Sequence, residues 1–257
     1  MKLSVVIPFY EDIRFLGEAL ASLSAQTLEK FQVVLVGDGS PTPVLREVTR
    51  LAKKHLRGSI RRDLIAYPDN RGVCFARNYA SQFCAKGEFI VVLDADDICM
   101  PRRLERLEAL LESGCDLVYS DVLAGETPET AQLLEASPPE AITRDQWLFK
   151  KFWFNIRHCS AAYRRQLAQM FPYPPYVSGS GGDTVFLVHI GLFSGARLGY
   201  VNEPLLFYRR LEGSLSANPE ARETILERHA LMVELFEYFD ALQKLPSEQT
   251  AAAGGAG

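Results

Sequence analysis

The sequence is poor in the features that mark secreted, zinc-stapled, membrane-spanning or nucleic-acid-binding chains. Its five cysteines, Cys74, Cys84, Cys99, Cys115 and Cys159, are odd in number and contain no Cys-x-x-Cys pair. That argues against a disulfide framework and a structural zinc site, and favours a reducing compartment. The four histidines, at 55, 158, 189 and 229, lack the mutual spacing of metal ligands. No apolar stretch approaches the ~20 residues a membrane helix needs. Leu3–Ile7, closed by Pro8, is too short for a secretory core. The expectation is a cytoplasmic protein, with a peripheral contact at the inner face of the membrane still compatible.

Concentrated positive charge is also missing. The formal net charge is -4, and the Arg pairs at 61/62, 102/103, 164/165 and 209/210 are scattered. Nucleic acid is therefore not expected as a partner. No Gly-Lys-[Ser/Thr] occurs, and Thr184 breaks a G-x-G-x-x-G reading of Gly179–Thr184, so neither a P-loop nor a Rossmann fingerprint is present. There is no internal repeat and no Ser/His/Asp arrangement.

What remains is a chain of 257 residues, 47% hydrophobic and 23% charged, long enough to bury a large core. Short apolar runs at 3–7, 32–36, 60–67, 88–93 and 116–120 read as strands. Amphipathic stretches near 12–23, 43–56, 73–85 and 101–113 read as helices, the first capped by Asp12. The alternation predicts an α/β fold with a mostly parallel, Rossmann-like sheet flanked by helices. Residues 1–124 form the expected ligand-binding α/β half and 125–217 a lobe built onto the same domain. Trp147–Phe154 is an aromatic helix candidate, 218–246 a C-terminal helix, and 247–257 a small-residue tail expected to be disordered.

In such sheets ligands bind beyond the carboxyl ends of the strands. Four successive strand ends carry polar groups there: Pro8-Phe9-Tyr10-Glu11, Gly37-Asp38-Gly39-Ser40, Asp69-Asn70-Arg71-Gly72 and Asp94-Ala95-Asp96-Asp97. Asp94 and Asp96, two residues apart, can both reach one metal-ligand assembly. Mg²⁺ or Mn²⁺ takes oxygen ligands, often one or two carboxylates with phosphates and water completing the shell. The alternative is capping of the helix that begins near Pro101.

These motifs, together with Ser4–Tyr10, Ala76-Arg77-Asn78, Gly182-Asp183, Tyr208-Arg209-Arg210 and Gly213–Ser216, resemble the family 2 glycosyltransferases of the GT-A fold. The resemblance runs over about residues 3 to 216. It implies an inverting, nucleotide-sugar-dependent transferase of hexosyl or N-acetylhexosaminyl groups, acting on a glycan or lipid-linked acceptor. By resemblance Asp38 would accept a hydrogen bond from the base, with Pro8, Tyr10 and Glu11 lining its pocket and Arg71 reaching it. Asp94 would hold the ribose side, next to Ala95, and Asp96 the metal. An Asp opposite a ring N–H suits uracil or thymine, so a UDP-sugar is favoured and a dTDP-sugar second. Asp183 would be the catalytic base, taking the proton of an attacking hydroxyl. Its alternative is a helix N-cap.

Arg77 could neutralise phosphate or tie its helix to a carboxylate. Arg209 and Arg210 could support the diphosphate or a closing loop, or form a solvated pair. The aromatics of 147–154 read as core or as a platform for the acceptor, and His158 lies where the family's acceptor-side strand begins. Three departures stand out: Gly37 where an Asp is common, Leu211 where a His follows the Arg pair, and Glu11 for a frequent Asn. Two other readings remain, a sugar-phosphate nucleotidyltransferase and a non-catalytic nucleotide-sugar binding protein. The first normally needs a basic, glycine-rich loop after its first strand, where this chain has Phe9-Tyr10-Glu11-Asp12.

Overall fold

A computed structural model describes residues 1–56, 58–142, 156–174, 181–211 and 234, with the backbone alone at 192 and 193. The expected helix at 147–154 and the tail lie outside these residues, as does the helix expected at 218–246 apart from Glu234.

The chain begins β1 (Leu3–Phe9), α1 (Leu16–Ser24), β2 (Gln32–Asp38), α2 (Thr42–His55), β3 (Arg61–Tyr67), α3 (Val73–Tyr79) and β4 (Phe89–Val92). It continues through β5 (Ile98–Cys99), α4 (Arg103–Glu112), β6 (Leu117–Gly125), β7 (Gln132–Leu134), β8 (Ala162–Arg164), α5 (Arg165–Met170), α6 (Gly182–Phe193) and β9 (Leu198–Arg209). One mixed sheet runs β3-β2-β1-β4-β8-β6-β9-β5, with β7 on β6. The β3-β2-β1-β4 half is parallel throughout.

The inner strands are continuous apolar runs because both faces are covered. Val5 and Ile7 of β1 with Val33 and Leu35 of β2 join Leu16, Leu20 and Leu23 of α1 and Leu104 and Leu107 of α4. Val6, Val34 and Val92 point the other way, into a second cluster with Ala76, Tyr163, Tyr173 and Phe186. Each such Val or Leu contributes roughly 1.5–3 kcal/mol by leaving water. The second half of the chain continues this sheet, since β6 pairs β9 in parallel and β8 bridges β4 to β6.

Three local expectations change. The first helix starts at Leu16 behind Phe15, not at Asp12. Asp12 is instead held by the Arg14 guanidinium, at 2.9 and 2.6 Å, and a carboxylate so engaged is not a cap. The helix expected over 73–85 is α-helical only to Tyr79 and widens into a π turn over Ala80–Cys84. The last strand of the first half runs on to Gly125, because β9 pairs with it along its whole length.

Candidate active site

The chain steps outward from β1 to β2 to β3, then returns to place β4 on the other side of β1. The crevice between the ends of β1 and β4 is thus the point where strand order reverses. A cavity of about 200 Å³ opens there, lined by Pro8, Phe9, Asp12, Phe15, Val73, Asp94, Ala95, Asp96 and Leu211. Of the expected site residues, Pro8, Asp94, Ala95 and Asp96 meet in this cavity.

The turn after β4 does not cap a helix. α4 begins at Arg103 with Arg102 before it and no side-chain cap, while Asp97 N–H closes the turn on Asp94 O at 3.2 Å. The carboxylates stay available to the cavity. Asp94 accepts a 2.7 Å bond from Arg77, whose side chain is 9% exposed. Burial works against the Arg77 charge, but Asp94, Tyr173 and Asp183 outweigh it and hold its pKa above the usual value. Of the two roles open to Arg77, tying its helix to a carboxylate is the one the structure shows, and it brings Asp183 into the same field.

Asp96 has no comparable cation. Its pKa is pushed up to about 6, first by burial and then by the negative charge of Asp94, with Arg209 opposing. Asp97 is fully buried, with Oδ1 accepting from Arg209 N–H at 3.0 Å and Oδ2 without a partner. Burial, followed by Asp94 and Asp96, raises its pKa as well. Three carboxylates on four residues therefore crowd one turn with incomplete compensation, an arrangement a divalent cation would relieve. Among the described residues no three His, Cys, Asp or Glu side chains are grouped so as to hold a metal ion by themselves.

Asp38 is 5% exposed, and its two oxygens accept the N–H groups of Arg71 and Gly72 at 2.7 and 2.8 Å. It organises the loop after β3, where Gly72 has φ +88°. Arg71 is exposed and lays its guanidinium over Phe75, 4.2 Å from the ring centroid. The Tyr67 hydroxyl is buried nearby, its pKa raised by burial first and then by Asp38. Tyr10 and Glu11 are exposed at the mouth of β1, and the Glu11 carboxylate raises the Tyr10 pKa.

Arg209 is neither solvated nor free to grip a diphosphate. It is 5% exposed, with Nε on Asp96 O at 2.9 Å, Nη1 on Glu126 O at 3.2 Å and Nη2 on Glu18 at 2.6 Å. Its guanidinium stacks 4.0 Å from the Phe15 centroid. It supports the turn that presents Asp96. Arg210 is exposed and uses its N–H on Gly125 O.

Asp183 is not an N-cap: Gly181, with φ +100°, takes that place, and Asp183 sits in the first turn of α6, with Oδ1 on the Thr184 N–H at 2.8 Å. A carboxylate is favoured there by the unpaired N–H groups of the helix start.

Residues 4–171 match the profile of glycosyl transferase family 2. The chain belongs to that family. Succinoglycan biosynthesis protein ExoW of Rhizobium meliloti is 34% identical over 128 residues, 49% of this chain and 39% of that protein. A glycosyltransferase of Nostoc sp. is 27% identical over 216 residues, 81% of this chain and 65% of that protein. The chain thus spans from about two fifths to just under two thirds of these relatives.

The fold is shared with glycosyltransferases of known structure. Staphylococcus aureus TarS 1-349 in complex with UDP-GlcNAc superposes with a TM-score of 0.69 at 20% identity, covering 90% of this chain and 66% of that one. The mannosyltransferase PcManGT of Pyrobaculum calidifontis, in complex with GDP-Man and Mn²⁺, gives 0.64 at 19% identity, covering 89% and 62%. The GT-A architecture expected from the motifs is the architecture observed. Among the described residues no helix is long and apolar enough to cross a membrane.

The sequence motifs include Asp97 and Asn78 but assign neither a role, and they mark Leu211 as a departure without placing it on the cavity wall. The pairing of Asn78 with Tyr173 spans 95 residues and has no sequence signal.

Proposed function

We propose that this chain is an inverting glycosyltransferase that moves a sugar from a nucleotide-sugar, a UDP-sugar first, to a hydroxyl of a glycan or glycolipid acceptor. The observation that carries the proposal is the pair Asp94 and Asp96 on the β1/β4 crevice, with Arg77 compensating only the first. UDP-GlcNAc in TarS and GDP-Man with Mn²⁺ in PcManGT are ligands of structures sharing this fold, and they support a nucleotide-sugar and a divalent ion here. ExoW, by name a succinoglycan biosynthesis protein, supports a glycan acceptor.

In this reading the base lies against the loop from Arg71 to Gly72, which Asp38 holds in place, with Tyr10 and Glu11 at the pocket mouth. Asp38 is left with only its remaining lone pairs for a base N–H. Asp94 would face the ribose side, and Asp96 would hold the metal. A bound Mn²⁺ or Mg²⁺ would offset the charge that develops on the departing diphosphate. Asp183 takes the proton of the acceptor hydroxyl as its oxygen attacks the anomeric carbon; the bond to the diphosphate breaks and the nucleoside diphosphate leaves. One displacement inverts the anomeric centre.

A nucleotidyltransferase is disfavoured because the segment after β1, Phe9-Tyr10-Glu11-Asp12, has neither the glycines nor the cations that would grip a triphosphate. A thermal-shift panel of nucleotide-sugars with and without Mn²⁺ tests the donor, since a ligand binding only the folded state raises its melting point. The proposal expects a metal-dependent response largest for UDP compounds. An equal response to every nucleotide, or none to any, would remove it.

A further inference from the structure

Tyr173 lies outside the cavity wall, yet every part of it is held. Asn78 accepts its backbone N–H at 2.8 Å and donates to its carbonyl at 2.7 Å. Its hydroxyl is 2.7 Å from His158 Nε2 and 2.9 Å from the Tyr163 hydroxyl. Its ring stacks on Phe186 with centroids 4.0 Å apart and planes 13° from parallel. The Arg77 guanidinium lies 5.7 Å from that ring. The side chain is fully buried.

The partners of Tyr173 belong to two parts of the site. Asn78 follows Arg77 on α3, and Arg77 grips Asp94. Phe186 follows Asp183 by three residues on α6, so the two share a helix face. A buried aromatic stack transmits position because packed interiors do not deform freely. We propose that Tyr173 is a positioning residue: clamped by Asn78 and by His158, it fixes α6 through Phe186 and so sets the Asp183 carboxylate relative to Asp94. The inference rests on Asp183 acting as the base, and it adds how the base is aimed.

A Tyr that merely fills the core and a Tyr that aims the base differ in what their loss changes. The test follows UDP release from UDP-GlcNAc in the presence of Mn²⁺, with water as acceptor and then with azide. Azide attacks the anomeric carbon without giving up a proton, forming the glycosyl azide as UDP leaves, so it needs no base. Tyr173→Leu is expected to lower kcat with water by ~10- to 100-fold, the scale of a small misplacement of a reacting group, while KM for the donor stays close to wild type. With azide the deficit should largely vanish, and Tyr173→Phe, which keeps the stack, should recover most of the rate with water. If Tyr173→Leu does not fold, Asn78→Ala removes the backbone clamp alone and is measured in the same way.

An equal deficit with azide and water, a KM that rises as kcat falls, or a wild-type rate would overturn the proposal. Asp183→Ala separates this from the underlying reading. If it keeps full activity with water, the base assignment fails and the positioning role falls with it. If it shows the azide-dependent pattern and neither Tyr173→Leu nor Asn78→Ala does, only the positioning role fails.

Discussion

Arg77, with a side chain 9% exposed, donates a 2.7 Å hydrogen bond to Asp94, whose side chain is 31% exposed. Breaking a buried ion pair by removing one partner typically costs 3–5 kcal/mol, because the other charge is left uncompensated. Arg77→Met should therefore lower unfolding free energy by about 3 kcal/mol, the lower end, since Asp94 is partly hydrated. Adding Asp94→Asn should return part of that loss. Urea denaturation of the two single variants and the double decides this, and strictly additive losses would show that the pair is not coupled.

Asp96 makes stability without metal depend on pH. Its folded pKa of about 6 lies above the unfolded value of about 4, so the folded state binds more protons between them. Stability from this group is fully present below the unfolded pKa and is lost as pH rises through the folded pKa. The metal-free protein should lose on the order of 3 kcal/mol from this group between pH 4 and 7, partly masked by its other carboxylates. Melting curves of wild type and Asp96→Asn across that range should converge toward low pH and separate toward neutral, with wild type the less stable.

Gly37 is filled from outside. A Cβ there would meet Leu45 Cδ2 at 2.9 Å, Phe9 Cζ at 3.2 Å and Ala66 Cβ at 3.3 Å. The acid common at this position in the family would have to displace the ends of the Leu45 and Phe9 side chains, and in β2 it would be a buried charge. Gly37→Ala should cost roughly 1–3 kcal/mol by overpacking, Gly37→Asp more, and Leu45→Ala should relieve part of the second. Denaturant midpoints measure all three; a Gly37→Asp protein as stable as wild type would contradict the packing.

Asp38 is expected to act first on the loop after β3. Asp38→Ala removes two charge-assisted bonds, each worth about 1.5–3 kcal/mol, from the N–H groups of Arg71 and Gly72. Hydrogen exchange should accelerate at those amides while the central β1 and β4 amides exchange as before. Unchanged protection at Arg71 and Gly72 would show that other contacts hold the loop.

The inner strands β1, β2 and β4 were legible because strands buried on both faces must be apolar, and each such run stops where the site begins, at Pro8, Asp38 and Asp94. Arg209 was not legible. An Arg pair in sequence reads as solvated, and only the approach of Phe15, Glu18 and the Asp96 carbonyl makes a buried position tolerable. The end of α3 was hidden for a different reason: apolar spacing continues through Ala80 and Cys84, and a π turn keeps nearly the same face. Leu211 could be read as a departure from the family pattern, but not as a wall of the cavity, because that depends on how β9 crosses beside β5.

The most direct test of the whole account is calorimetric titration of UDP into wild type and Asp96→Ala, each with Mn²⁺ and with EDTA. The account predicts binding to wild type that strengthens markedly with Mn²⁺, and binding to Asp96→Ala that is the same in both conditions. Wild-type binding unaffected by EDTA, or a metal response kept in full by Asp96→Ala, would contradict it.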